Sequence, residues 1–168
     1  MASAMPQAIG PQLAFPGRQV VSLSGDGGFA MMMGDILTIY QYNLPIKIVV
    51  YNIGSLGFVA MEMKVIGMPP FGTDLKYPNF AKMAEAIGIM GIRVENSEDV
   101  PVAIEKALAH DGPVLIDVLT NPTELAMPPG INIEQAKGFG IYMIKQTLLG
   151  DGAEVWDTLK TKFFKQID

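Results

Sequence analysis

A carboxylate set among glycines is the first place in this sequence where residue types and spacing could do chemistry. Ser24-Gly25-Asp26-Gly27-Gly28 abruptly ends the β-rich run Gln19–Leu23, and an apolar-periodic segment begins at Phe29. At such a turn, glycines let the backbone approach an anion closely. The amides that open the following helix offer unpaired donors and the positive end of a dipole. Asp26 is the unusual member, because a carboxylate aimed at a phosphate repels it unless a divalent cation lies between them. The pattern therefore suggests a diphosphate bridged by Mg²⁺. On the tripeptide alone, a tight turn with a solvated Asp is the favoured reading.

The next segment that could share the site follows Tyr51 and reads Asn52-Ile53-Gly54-Ser55-Leu56-Gly57-Phe58. Strands joined by one right-handed crossover lie side by side or nearly so, and ligands of open parallel sheets bind beyond the carboxyl ends of the strands. A polar, glycine-containing loop there can add oxygens to a hard cation, which takes octahedral oxygen ligands. Other candidates have simpler readings. His110, the sole histidine, follows a helix and suits the negative end of its dipole. Met31, Met32, Met33, Met61 and Met63 read as adaptable core filling, and Glu62 as a solvated helix carboxylate.

These residues need elements to hold them. Phe29, Met32, Met33, Ile36, Leu37 and Tyr40 fall at helical spacing, so the pattern predicts one helix over Phe29–Tyr42, stopped by Pro45. Ile46–Tyr51 is an almost unbroken apolar strand, as expected when both faces are covered. After it, LGFVAMEMK from Leu56 reads as a short helix that dissolves into a loop around Met68-Pro69-Pro70. Asn79 is a suitable N-cap for a helix to Ile87, with Gly88 as its stop. Ile92–Val94 reads as a strand. Ser97 is expected to cap a helix to Ala109, with Glu98 and Asp99 in the first turn, and Val114–Leu119 is the last strand. Alternating β and α segments predict a doubly wound, mostly parallel α/β sheet, Rossmann-like in kind. That domain is expected over residues 1–121. Residues 122–168 then form a linker, marked by Pro128-Pro129-Gly130, and a tail with helices over Ile133–Leu149 and Ala153–Gln166.

The bulk figures exclude several classes. A net charge of −5 argues against nucleic-acid binding, which Lys and Arg drive. Without cysteine there is neither a disulfide framework nor a thiolate metal site. Met1–Phe15 carries no basic n-region, and Pro6 and Pro11 interrupt its apolar residues, so no secretory signal is read there. No stretch reaches the ~18 uncharged apolar residues of a membrane span. A soluble, cytoplasmic protein is expected.

Gly25-Asp26-Gly27, followed by a helix and a strand that ends at Asn52, resembles the cofactor motif of thiamine-diphosphate (ThDP) enzymes. The words GDGGFAMMMGD, LPIKIVVYN, LGFVAMEMK, GIRVE, DGPVLIDV and PPGINIEQAKGFGIYM are similar to the quinone-reducing bacterial pyruvate oxidases, with acetolactate synthase the nearest competitor. The resemblance runs from Met1 to about Lys165, nearly the whole chain. It implies oxidative decarboxylation of pyruvate to acetate and CO₂, with ThDP and Mg²⁺ as cofactors and FAD in a domain that is not found here. Asp26 would ligate Mg²⁺, while Gly27 and Gly28 would contact the diphosphate through their backbone. Ile53, Gly54, Ser55, Leu56, Gly57, Phe58 and Val59 would wrap the diphosphate. The Ser55 carbonyl would lie on the metal and Phe58 beside the thiazolium and substrate, as the catalytic candidate. Met1 falls at the bulky apolar position that bends the cofactor. Also implied are a homo-oligomer, pyrimidine-binding and FAD domains as partners, and a tail that meets lipid or quinone at the inner face of the cell membrane.

Two features depart from that pattern. The second residue of the family's Asn-Asn pair is a metal ligand, and Ile53, which has no oxygen to offer, stands there. Asn52 is the sole nearby substitute. The family's upstream strand and helix, its activating glutamate and its FAD domain are not located in the sequence, which predicts that the isolated chain is inactive towards pyruvate and leaves the sheet short of cover. Val155, Trp156, Leu159 and Phe163 form one stripe beside Lys162 and Lys165. That stripe suits docking on protein or on a lipid surface. A non-catalytic homologue or gene fragment is the alternative that Ile53 favours. A nucleotide-binding Rossmann domain is a weaker one, because Asp26 interrupts where a G-x-G-x-x-G loop is needed.

Overall fold

A computed structural model describes residues 1–122 and 133–150. They fall into two compact units, one of residues 1–54 and 76–120, the other of residues 55–75, 121–122 and 133–150. The first holds a four-stranded sheet, with β1 Val21–Gly25, β2 Lys47–Asn52, β3 Met90–Val94 and β4 Val114–Leu119. The sheet order is β1-β2-β4-β3, and every pairing is parallel. The fold is thus the α/β class with a parallel sheet that the alternating segments predicted.

Side chains alternate across the strands and feed two apolar clusters. On one face Ile48, Val50 and Leu115 pack with Met5, Phe29, Ile39, Phe80 and Ala84. These belong to helices α1 (Ala4–Ala14), α2 (Asp26–Met31), α3 (Ile36–Gln41) and α5 (Phe80–Ile87). On the other face Val114, Ile116 and Val94 pack with Ala103 and Ala107 of α6 (Val100–Ala109). That second cover is partial, since Val21, Leu23 and Tyr51 are exposed on β1 and β2. Register pins the β1–β2 pair from Val21 opposite Lys47 to Gly25 opposite Tyr51, which brings the ends of both strands to one edge of the sheet.

Several local expectations are corrected. The segment expected as one helix over Phe29–Tyr42 is two helices separated by a 3₁₀ turn, Met33–Asp35. The break shifts the helical phase, so Ile36 and Ile39 are buried while Met32, Leu37 and Tyr40 are exposed. Met31 is exposed as well, and neither it nor Met32 fills the core. Ser97 opens a 3₁₀ turn and caps nothing with its side chain; α6 starts after Asp99. The stretch read as interrupted by prolines is helix α1. Pro6 lies in the first turn, where its missing N–H would have had no intrahelical partner. Pro11 is tolerated inside a helix whose buried side chains Met5, Ala8 and Gln12 hold it against the sheet unit. Other signals are realised as read. The Asn79 side chain accepts from the Lys82 amide at 2.9 Å, and α5 ends at Gly88 in the left-handed region.

The second unit contains α4 (Gly57–Val65) and α7 (Ile133–Leu149). The two approach until a Cβ on Gly138 would sit 1.9 Å from the Val65 carbonyl, so only glycine allows this crossing. Lys145 donates to the Gly67 carbonyl at 2.9 Å, and the Lys64 ammonium lies 5.3 Å from the Tyr142 ring centre. This contact is why residues 55–75 group with the C-terminal segment, where the sequence reading had kept them in the α/β domain. Among the described residues, no helix is long and apolar enough to cross a membrane. The linker prolines and the helix expected over Ala153–Gln166, with its Trp156 stripe, lie outside the described residues.

Candidate functional site

The glycine-flanked carboxylate is buried. Asp26 is the first residue of α2, directly after Gly25 ends β1, and is 3% exposed. Its Oδ1 accepts from the Gly27 amide at 2.7 Å. Its Oδ2 accepts from two amides of the loop after β2, Ile53 N–H at 3.0 Å and Gly54 N–H at 2.7 Å. The parallel register makes this clasp geometrically available, and Gly54, at φ 66°, supplies the left-handed bend that turns its N–H back to the carboxylate. Burying an anion without donors is costly, and three backbone N–H groups meet that cost here.

The same geometry tests the fit of a diphosphate with its cation. A carboxylate has about four lone-pair sites, and three are used by amides, which leaves one on Oδ1 for a cation. Mg²⁺ commonly takes one or two carboxylates and completes its shell with phosphate oxygens and water. The residues therefore fit a Mg²⁺–diphosphate group whose cation is held largely by non-protein oxygens. Among the described residues, no group of three or more His, Cys, Asp or Glu side chains could hold a metal by itself.

Asn52, the possible substitute ligand, is the last residue of β2. It is buried, and its Nδ2 donates to Asp117 Oδ1 at 2.9 Å. Ile53 contributes its amide to Asp26 and has no side-chain oxygen. Gly27 is buried, and a Cβ on Gly28 would come 3.4 Å from the Ala2 amide nitrogen. Met1 is 86% exposed. The structure thus brings together Asp26, Gly27, Ile53 and Gly54. Ser55, Leu56, Gly57, Phe58 and Val59 belong to the second unit. There Ser55 bridges to Asp74, the Leu56 amide donates to the Thr73 carbonyl at 2.8 Å, and Gly57 opens α4. Phe58, on the first turn of that helix, is 66% exposed.

Two groups beside the clasp went unnoticed in the sequence. Tyr77 packs on Phe80, with ring centres 5.2 Å apart. Burial, and then the Asp26 charge, push its phenol above the ordinary tyrosine range. Asp117 is wholly buried in β4 and takes donors from Asn52, from the Phe80 amide at 3.0 Å and from Arg93 Nη1 at 2.5 Å. A charged residue inside the apolar strand VLIDVL was the available signal, since buried charges are kept only when paired.

Comparison with known proteins yields consistent relatives. Residues 1–118 match the family described as thiamine pyrophosphate enzyme, C-terminal TPP binding domain, thiamine pyrophosphate being another name for thiamine diphosphate. The chain is 39% identical over 145 residues to YdaP of Bacillus subtilis (strain 168), by its name a candidate thiamine pyrophosphate-containing protein; the match covers 86% of this chain and 25% of that protein. It is 34% identical over 129 residues to the mitochondrial acetolactate synthase of Schizosaccharomyces pombe, covering 76% of this chain and 19% of that protein. Among solved structures, it is similar to the thiamine diphosphate-dependent 4-hydroxybenzoylformate decarboxylase of Rhodococcus jostii RHA1. There the TM-score is 0.66 and the identity 36%, with 72% of this chain and 23% of that chain covered. The chain spans a quarter or less of the length of these relatives.

Proposed function

The chain belongs to the thiamine pyrophosphate enzymes, as their C-terminal TPP-binding domain, and from that premise we propose that it holds Mg²⁺ and ThDP for a pyruvate:quinone oxidoreductase. The observation that carries the cofactor part of the reading is the buried Asp26 carboxylate, gripped by three amides yet keeping one acceptor position. The choice of pyruvate oxidase rests on the sequence words GDGGFAMMMGD and PPGINIEQAKGFGIYM. Relatives named as acetolactate synthases favour a second reading, in which the same domain serves acetolactate formation from 2-keto acids.

When bound, ThDP supplies the carbanion-stabilising chemistry that lets a 2-keto acid lose CO₂. This chain's part is orientation. Asp26 would hold the cation through Oδ1 while its Oδ2 keeps the Ile53–Gly54 turn in place, and the Gly28 amide would donate to a diphosphate oxygen, the Gly27 amide being engaged by Asp26. By the family resemblance, the Ser55 carbonyl would add an oxygen to the cation, and Phe58 would supply an apolar wall beside the substrate. Met1 would supply the apolar support of the cofactor. Pyrimidine-binding and FAD domains complete the enzyme in a homo-oligomer, and the tail meets lipid at the inner membrane face.

Calorimetric titration of ThDP into the chain, with Mg²⁺ or with EDTA, tests the reading. Saturable binding that needs Mg²⁺ and is lost in Asp26→Ala is expected; no binding under either condition refutes it. The chain alone is expected to release no CO₂ from pyruvate. Supplied with the pyrimidine-binding and FAD domains of a quinone-reducing pyruvate oxidase, it is expected to restore pyruvate-dependent quinone reduction. Acetolactate as the product would instead establish the second reading.

A further inference from the structure

We propose that Asp117 is a positioning residue for the cofactor loop: by gripping the Asn52 amide it sets where β2 ends, and so where the Ile53 and Gly54 N–H groups meet Asp26. The inference rests on the ThDP reading above. Asp117 lies two residues before the end of β4 and is 0% exposed, among apolar neighbours. A buried carboxylate is retained only when its donors are good, and each of its donors comes from a different element. Arg93 on β3, opposite Asp117 in register, and the Phe80 amide at the start of α5 hold the framework together. The Asn52 arm leads elsewhere. Asn52 is the last residue of β2, and the next two amides along the chain are those that clasp Asp26.

Asn52 is tied through both its side chain and its main chain. Its side chain donates to Asp117 at 2.9 Å, and its carbonyl accepts from the Thr120 amide at 3.0 Å. A strand end held by main chain alone is freer to twist. With the side chain also tied, the plane of the following peptide is set, which is the condition for two successive amides to converge on one oxygen. Loops that hold a metal site lose roughly 10–100-fold in affinity when such outer partners are removed.

The network could instead serve only to dock α5 and β3, and paired substitutions separate the two roles. Asn52→Leu, close in shape, removes the loop arm and leaves Asp117 with Arg93 and the Phe80 amide. Arg93→Met removes a framework arm and leaves the loop arm intact. Amide hydrogen exchange of the cofactor-free chain, followed by NMR, is expected to show Ile53 and Gly54 exchanging about tenfold faster in Asn52→Leu, with Phe80 still protected. Mg²⁺-dependent ThDP affinity is expected to fall about tenfold in the same variant. In Arg93→Met, resistance to urea falls while both loop readouts stay at the level of the unaltered chain. Should Asn52→Leu not fold, Asp117→Asn, of the same shape, is expected to speed Ile53 and Gly54 exchange likewise. Unchanged exchange at Ile53 and Gly54, or an equal effect from Arg93→Met, overturns the proposal. Because the exchange readout needs no cofactor, failure of the chain to bind ThDP would defeat the functional reading and leave the positioning role separately decided.

Discussion

Replacing Asp26 by Asn probes the clasp with almost no change of shape. The carboxylate accepts three amide bonds, from Gly27, Ile53 and Gly54. An Asn side chain has one carbonyl oxygen, which can keep the Ile53 and Gly54 donors as neutral bonds, while its NH₂ group must face the Gly27 N–H. Bonds to a charged acceptor contribute about 1.5–3 kcal/mol each and neutral ones about 0.5–1.5. One bond is lost and two weaken, partly offset by no longer burying an ion, so a net loss of about 2–3 kcal/mol is expected. With a urea slope of ~1–3 kcal/mol per molar for a small domain, the midpoint should fall by roughly 1–2 M. The assay is urea unfolding followed by circular dichroism, alongside Mg²⁺-dependent ThDP titration. A variant with an unshifted midpoint and unshifted cofactor affinity would refute both the energetic account of the clasp and the role assigned to Asp26.

Ile53→Asn returns an oxygen donor to the place where the family's pattern has one, and Mg²⁺-dependent ThDP affinity should rise about tenfold or more; equal titrations for both chains would show that water replaces the ligand fully. Gly91→Ala should destabilise the first unit by about 3 kcal/mol by overpacking, because the added Cβ would lie 2.1 Å from the Ala81 carbonyl oxygen; the check is a lowered unfolding midpoint. Tyr77 should ionise above the ordinary tyrosine range, since burial and the Asp26 charge both disfavour its phenolate. Its folded form therefore keeps a proton that the unfolded chain has released, so stability should fall as pH rises above the ordinary tyrosine value of 10.0. Ultraviolet difference titration should show this shift shrinking in Asp26→Asn. Tail truncation after Gly150 should abolish association with anionic liposomes, measured by co-sedimentation; no association by the intact chain would end that reading.

Strand patterns and caps were legible in the sequence because they are local. IKIVVY and VLIDVL carry their burial in their composition, and Asn79 with Gly88 marks both ends of α5 as read. The helix after Asp26 was misjudged because apolar spacing alone does not register a short 3₁₀ turn, which moves Met32 and Tyr40 outward. The helix at Ala4–Ala14 was hidden by its prolines, since packing against the sheet unit outweighs their low helical propensity. At the site, the glycine-flanked carboxylate stood out by residue type, whereas the bond from the Asn52 side chain to Asp117 joins residues 65 apart and carries no local signal.

What the chain order determined by itself is the alternation of strand and helix, the parallel sheet, and a carboxylate at the turn where such sheets bind ligands. Each depends on residues within one or two turns of each other. Partner choice was decided only in three dimensions. Gly54 and Asp26 meet because β1 and β2 are in one register, and Asn52 faces Asp117 because β4 inserts between β2 and β3. A donor's nearest acceptor is set by which strands become neighbours, and that follows from burying the apolar faces of the whole sheet, a property no local window of sequence contains.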